Sequence, residues 1–416
     1  MTTRAPLHHR LRPLTGRDPN EPHRAASPLE LLYDLTFVIA FGATSVQLAH
    51  AIAEGHAASG LLAFAFSTFA VSWAWINYAW WASAFDTDDW YVRIMTLVQM
   101  VGVLILSVGV QDVFESIEHG ELDNTVVVAG YVVMRLGMLA LWIRVAVQDR
   151  VHRRTALVFA VSLFVAQLGW IVLAIAPLPV GTALLMTIPL YLIETTGPIV
   201  AERKVGGTPW HAHHIAERYS LLVIITLGEV ILGTATTISA IVHESDWTVD
   251  AAVVGFAGTA LAFALWWVYF MLPSGVLLER FRGRGFVWGY GHIVVFGALV
   301  ATGAGLDVVA MSTTGESHLA PTAVASAVVV PVVVLLLAFF ALYSILMGTF
   351  DPFHVLLFGG ALAILGISVL VAGAGAPLTV WLSLVVLAPV VVIVGYETVG
   401  HRHQQARLDQ LELLDA

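Results

Sequence analysis

The chain has 416 residues, 58% of them hydrophobic and 12% charged, with a net charge of −10. Soluble globular proteins carry about 25% charged residues, so this composition excludes a water-soluble core, and the modest acidic balance argues against nucleic-acid binding. Cysteine is absent, which excludes disulfides, thiolate catalysis and thiolate metal ligands.

In chain order, residues 1–28 are rich in Pro, Arg and His and read as a tail. No cleavable signal peptide is expected, because the first apolar run is long enough to span and a signal core is shorter. A transmembrane helix needs about 20 apolar residues. Such runs occupy roughly 30–53, 60–85, 92–112, 124–147, 155–176, 180–202, 215–242, 250–272, 286–310, 320–348, 354–373 and 377–397. The expected fold is all-α, a polytopic transmembrane helical bundle of about twelve spans. Residues 398–416 form a second tail, within which 404–414 read as a short amphipathic helix.

Lys and Arg collect on cytoplasmic loops. Here they fall at Arg4, Arg10, Arg12, Arg17 and Arg24, at Arg144, Arg150, Arg153 and Arg154, at Arg203 and Lys204, at Arg280, Arg282 and Arg284, and at Arg402 and Arg407. Twelve spans put all of these on one side. The opposite loops, 54–59, 113–123, 177–179, 243–249, 311–319 and 374–376, hold acids such as Glu115, Asp246 and Glu316 but no Lys or Arg. The expectation is a multi-pass plasma-membrane protein with both termini cytoplasmic.

Two six-helix halves are expected, 29–204 and 205–397, as a parallel repeat of the kind some transporters have. Each half opens with an acid-bearing helix, at Glu30 and Glu217. Each second helix carries an aromatic run, Trp73–Trp81 and Trp266–Phe270, and the third helices open with Tyr91-Val-Arg93 and Tyr290-Gly-His292.

A carboxylate in hydrocarbon costs about 2.5–3.5 kcal/mol or more, so the acids inside apolar runs are the candidate site. Glu30 and Asp34 are four residues apart and share a helix face with Phe37, Phe41 and Ser45. Glu30 also suits a helix N-terminus, where acids favour the macrodipole. Glu217-Arg218 follows His211-Ala-His213-His214. Those imidazoles could ligate a metal, but a solvated loop is the simpler expectation, and no metal or cofactor is expected. Asp86, Asp88 and Asp89 read as a solvated turn, and the aromatic run before them as packing. Glu229, beside Gly228, lies near the middle of its span and must be paired, protonated or hydrated. Arg135 and Glu194 lie at similar depth in spans four and six. Arg135 could pair with Glu229, or one acid of the set could stay free to titrate.

Glu30-Leu-Leu-Tyr-Asp34-Leu-Thr-Phe37-Val-Ile-Ala-Phe41, the run ending Trp80-Trp81-Ala-Ser-Ala-Phe85-Asp86, and His214-Ile-Ala-Glu217-Arg218-Tyr-Ser-Leu-Leu-Val-Ile-Ile-Thr-Leu-Gly228-Glu229 resemble the bacterial low temperature requirement A family. The resemblance spans roughly residues 28–310. It implies a membrane fold in which these acids matter, and carries no substrate with it. The function expected is that of a secondary transporter or channel-like protein moving a proton, cation or small solute, and not of an enzyme. Glu30 and Asp34 would form an entrance, and Glu229, Glu194 and Arg135 a midplane core. A lipid-acting membrane enzyme using His211, His213 and His214 is the first alternative, and a sensor or scaffold for growth in the cold is the second. Nucleotide-binding, metalloprotease and serine-hydrolase motifs are absent from the sequence.

Overall fold

The structure is a computed structural model that describes residues 11–411 apart from His23 and Pro177. Arg4 and Arg10 of the basic tail, and residues 412–414 of the expected C-terminal helix, lie outside the described residues. The fold is all-α. Among the described residues no strand forms, and Glu121 and Pro179 make an isolated backbone bridge.

Among the described residues, twelve helices are long and apolar enough to cross a membrane. They are α1 Pro28–Ala53, α2 Ala57–Phe85, α3 Trp90–Glu118, α4 Thr125–Gln148, α5 Arg153–Ile175 and α6 Val180–Val205. Then come α7 Ala212–Ser245, α8 Val249–Arg280, α9 Arg282–Thr313, α10 Pro321–Met347, α11 Pro352–Gly373 and α12 Leu378–Gln410. Helices suit these sequences because a segment in hydrocarbon has to satisfy its own backbone donors and acceptors. The twelve coincide with the twelve apolar runs, and most ends differ by a few residues. The largest extension is in α12, which stays helical through residues 398–410 of the expected tail, and α8 continues to Arg280. α3 breaks at Gly109 and resumes over Val110–Glu118. A Cβ on Gly109 would lie 2.6 Å from the backbone nitrogen of Val127, so the break sits at a close approach of α4.

Contacts divide the chain into two compact units: Met1–Phe37 with Ala74–Ile215, and Val38–Trp73 with Ala216–Ala416. This interleaved division is a different one from the two six-helix halves expected from the sequence. In the first unit, α3 and α4 pack backbone to backbone through small residues, the usual device where apolar burial gives no drive for helices to associate. A Cβ on Gly102 would lie 2.7 Å from the Gly130 carbonyl oxygen. In the second unit, α7 and α9 do the same. A Cβ on Gly233 would lie 2.5 Å from the Gly303 oxygen, and one on Gly303 would lie 2.6 Å from the Glu229 oxygen.

The N-terminal segment is a strap on the first unit rather than a free tail. Leu14 is fully buried, its N–H donates to Gln148 Oε1 at 2.9 Å, and the Gly16 N–H donates to Asp149 Oδ2 at 2.8 Å. The Arg17 N–H reaches the Ala84 carbonyl at 2.9 Å. The aromatic run of α2 is packed as expected, with Trp73, Trp75 and Trp81 almost fully buried.

The α7–α9 approach makes Gly303 intolerant of a side chain. Gly303→Ala forces backbones apart and is expected to destabilise by about 1–3 kcal/mol, read as a lower thermal unfolding temperature in detergent. Gly228→Ala, with nothing within 4 Å of its Cβ position, leaves that temperature unchanged.

Candidate functional site

At the start of α1, Ser27 and Glu30 form a reciprocal cap. The Ser27 N–H donates to Glu30 Oε2 at 2.7 Å and the Glu30 N–H donates to Ser27 Oγ at 3.3 Å. This satisfies two of the helix's orphan donors. The other carboxylate oxygen faces His214 Nε2 at 3.1 Å, with both side chains fully buried. One turn on, Asp34 is also fully buried and accepts the indole N–H of Trp75 at 2.6 Å. Both acids thus lie on the packed face of α1.

The His cluster is not the solvated loop expected from the sequence. His211 and His214 are buried and His213 is exposed. His211 Nδ1 accepts the His214 N–H at 3.1 Å and its Nε2 meets the Glu21 carbonyl at 3.0 Å. Both ring nitrogens of His211 are thus engaged, while His214 Nε2 faces Glu30.

The Asp86–Asp89 turn is likewise folded in, with Asp86 and Asp89 4% and 5% exposed. The strap covers it: Arg17 donates to the Asp86 carbonyl and Arg12 to that of Thr87, each at 3.0 Å. Asp89 caps α3 and forms a two-pronged bridge to Arg144, at 2.9 and 2.5 Å. Burial alone would raise its pKa, but the Arg144 guanidinium and the cap amides outweigh that and hold it at about 2. At Asp86 the Arg24 charge and the Asp88 amide are too weak to do the same. Burial, and then the nearby Glu30, push it up to about 6.

Arg135 and Glu194 pair in the first unit. Arg135 donates to Glu194 Oε2 at 2.6 Å, and both side chains are under 5% exposed. The guanidinium also bonds Tyr131 Oη at 3.1 Å, and Trp170 donates to Glu194 Oε1 at 3.0 Å. Four side chains close this group.

Glu229 belongs to the second unit. It is 6% exposed, and its carboxylate lies against Gly42, where a Cβ would sit 3.5 Å away. Ser45 of α1 is a neighbour of the carboxylate, and its hydroxyl donates to the Val300 carbonyl at 3.3 Å. The charge of Asp307, one turn beyond Gly303 on α9, acts on Glu229. Asp307 lines an open cleft of about 680 Å³, together with Val46, Thr236, Ser239, His243 and Glu316. Asp307 thus belongs both to the cleft and to the surroundings of Glu229.

Residues 25–389 match the family model of the bacterial low temperature requirement A protein. The chain belongs to that family. A curated protein of Rhizobium meliloti (strain 1021), described as uncharacterized, is 27% identical over 306 residues, covering 70% of this chain and 71% of the relative. No solved structure matches.

In this family member the six candidate acids and bases do not form one cluster. Arg135 and Glu194 come together, Glu30 and Asp34 have their own partners, and Glu229 has another set. Glu217 is half-buried in the first turns of α7, beside a fully buried Arg218. Asp307 is not among the six candidates, although it stands in the sequence as a titratable group in an apolar helix.

Removing Glu194 would strand the Arg135 charge. Glu194→Leu is expected to destabilise by about 3–5 kcal/mol, while adding Arg135→Met recovers most of the loss; chemical denaturation in detergent measures both. Asp86 gives a pH signature. Between about pH 4 and 6 the folded chain holds a proton that the unfolded chain has lost, so stability falls as pH rises through that window. Asp86→Asn flattens that slope and raises the unfolding temperature at pH 7.

Proposed function

We propose that the chain is a secondary transporter or channel-like protein that moves a proton, cation or small solute, with Glu229 as its ion-binding acid. The observation that carries the reading is the cleft of about 680 Å³, whose Asp307, Glu316 and His243 lead toward an acid buried between closely packed helices. Clefts lined with one sign of charge concentrate counter-ions. An ionisable group inside a membrane segment marks an ion pathway more often than a structural accident.

The Arg135–Glu194 pair takes a structural part in this proposal, because each charge is already met by the other and by Tyr131 and Trp170. Glu30 and Asp34 keep the role of an inner acidic mouth. Charge sorting supports a plasma-membrane orientation with both termini cytoplasmic and the cleft on the opposite face. The absence of nucleotide-binding and hydrolase motifs from the sequence favours transport over enzymatic chemistry.

Reconstitution into proteoliposomes tests the proposal. Glu229→Gln is expected to lower ion flux by roughly tenfold or more, the equivalent of about 1.4 kcal/mol. Asp307→Asn is expected to lower it less, by weakening attraction in the cleft. Flux unchanged in Glu229→Gln and in Asp34→Asn would overturn the reading.

A further inference from the structure

The second unit holds a cavity that shares no residue with the cleft around Asp307. It is half-enclosed and measures about 40 Å³. Late turns of α8 and α10, early turns of α9 and α11, and the middle of α12 surround it. The cleft lies at the other end of α9. Val268, Leu272, Phe339, Leu342, Phe358 and Val392 make most of the wall apolar. Two imidazoles, His292 and His354, and the tyrosines 269, 343 and 396 bring polar atoms to it.

Several of these polar atoms are already committed. His292 Nδ1 meets the Trp288 carbonyl at 2.7 Å, and its Nε2 meets the Tyr269 hydroxyl at 3.0 Å. The Tyr396 hydroxyl lies 3.1 Å from Gln404 Oε1. His354 is different. It is 4% exposed, and its Nδ1 lies 2.9 Å from Asp351 Oδ2. A carboxylate only accepts, so Nδ1 carries the proton and Nε2 presents a lone pair. Asp351 is fixed in turn, because it caps α11 through the Phe353 N–H at 2.9 Å and meets His403 Nδ1 at 2.8 Å. His354 Nε2 is buried and has no hydrogen-bond partner among the described residues. Buried acceptors are rarely left unmet, because their hydration has been given up. Gly400 keeps that nitrogen open: a Cβ there would lie 3.2 Å from Nε2.

We propose that this cavity binds the hydroxyl end of a lipid alcohol, whose O–H donates to His354 Nε2 while its first carbons lie on the apolar wall. The site is separate from the Glu229 surroundings and does not depend on the transport reading. No Asp or Glu lines the cavity to hold a cation, and no Lys or Arg lines it to hold an anion. A neutral donor on an apolar body is what the lining matches. Water matches it less well, since a buried water makes about three hydrogen bonds and most of this wall is carbon. The room equals that of about three waters at 10–15 Å³ each, which admits a hydroxyl and its first carbons and leaves the rest of the chain outside. The bilayer supplies such molecules. Close in sequence to the lining residues of α11 and α12, Leu356 is 71% exposed and Val394 55%, so both helices turn apolar surface outward.

Photolabelling of the full chain in nanodiscs tests the site. The probe is decanol carrying an aliphatic diazirine near its hydroxyl, with the O-methyl ether of the same probe as its control, and peptide mass spectrometry locates the label. The expected result is saturable labelling of cavity residues such as Leu342 and Val392, displaced by plain decanol, with the ether labelling them about fivefold less or weaker still. His354→Phe keeps a ring and removes the acceptor. Gly400→Ala sets a methyl against Nε2 at a position whose φ of −61° suits any residue. Each is expected to weaken labelling by about fivefold, the loss of one neutral hydrogen bond. The unfolding temperature in the same nanodiscs separates a lost site from a lost fold, and Gly400→Ala decides the matter if His354→Phe unfolds. Labelling that rises with probe without saturating, or that the ether matches, would overturn the proposal by showing partition into lipid alone. Saturable labelling outside the cavity, or undiminished in folded Gly400→Ala, would overturn it as well.

Discussion

A charge among apolar helices has to be met by an opposite charge, by hydrogen bonds or by water, and each buried acid in this protein is met differently. Glu194 has a full ion pair with Arg135 and an indole N–H. Glu30 completes a helix cap and meets an imidazole. Asp34 takes the N–H of Trp75. Glu229 has Ser45 nearby, close glycines and an acidic neighbour at the rim of a cleft. Breaking a buried pair leaves an uncompensated charge, so the first acid is bound to structure. The last has no ion-pair partner among the described residues.

Helix packing makes that placement possible. α7 and α9 meet through Gly233 and Gly303, so the Glu229 backbone lies directly on its neighbour. Wider side chains there would move the acid away from both Ser45 and Asp307. The same logic holds in the first unit, where the strap over residues 84–89 turns an acidic turn into a buried, bonded one. Asp89 gains Arg144 in the process. Asp86 does not, which is why its carboxyl is pushed up while that of its neighbour is held down.

Much of this was legible in the sequence. Glu30 reads as an acid suited to a helix N-terminus, and the packed Trp run followed from its length. The partner of Arg135 was not legible. Glu194 and Glu229 lie at comparable depth in their helices, and the choice between them depends on which helix stands beside α4. The burial of His211, His214, Asp86 and Asp89 was missed because polar loop residues read as solvated until a covering segment is known. The strap that covers Asp86 and Asp89 is a Pro- and Arg-rich stretch without periodicity of its own.

The sequence by itself determined the class, the twelve helices and the list of polar groups carried into them. These follow from hydropathy and helical period, which are local quantities summed along the chain. Only the tertiary structure decided which of those groups meet. Arg135 and Glu194 are 59 residues apart, and Gly42, Ser45, Glu229, Gly303 and Asp307 come from three helices. Their meeting depends on how each helix is rotated and shifted against its neighbours. Close packing at a few glycines sets that rotation and shift, and no pattern within a single helix encodes them.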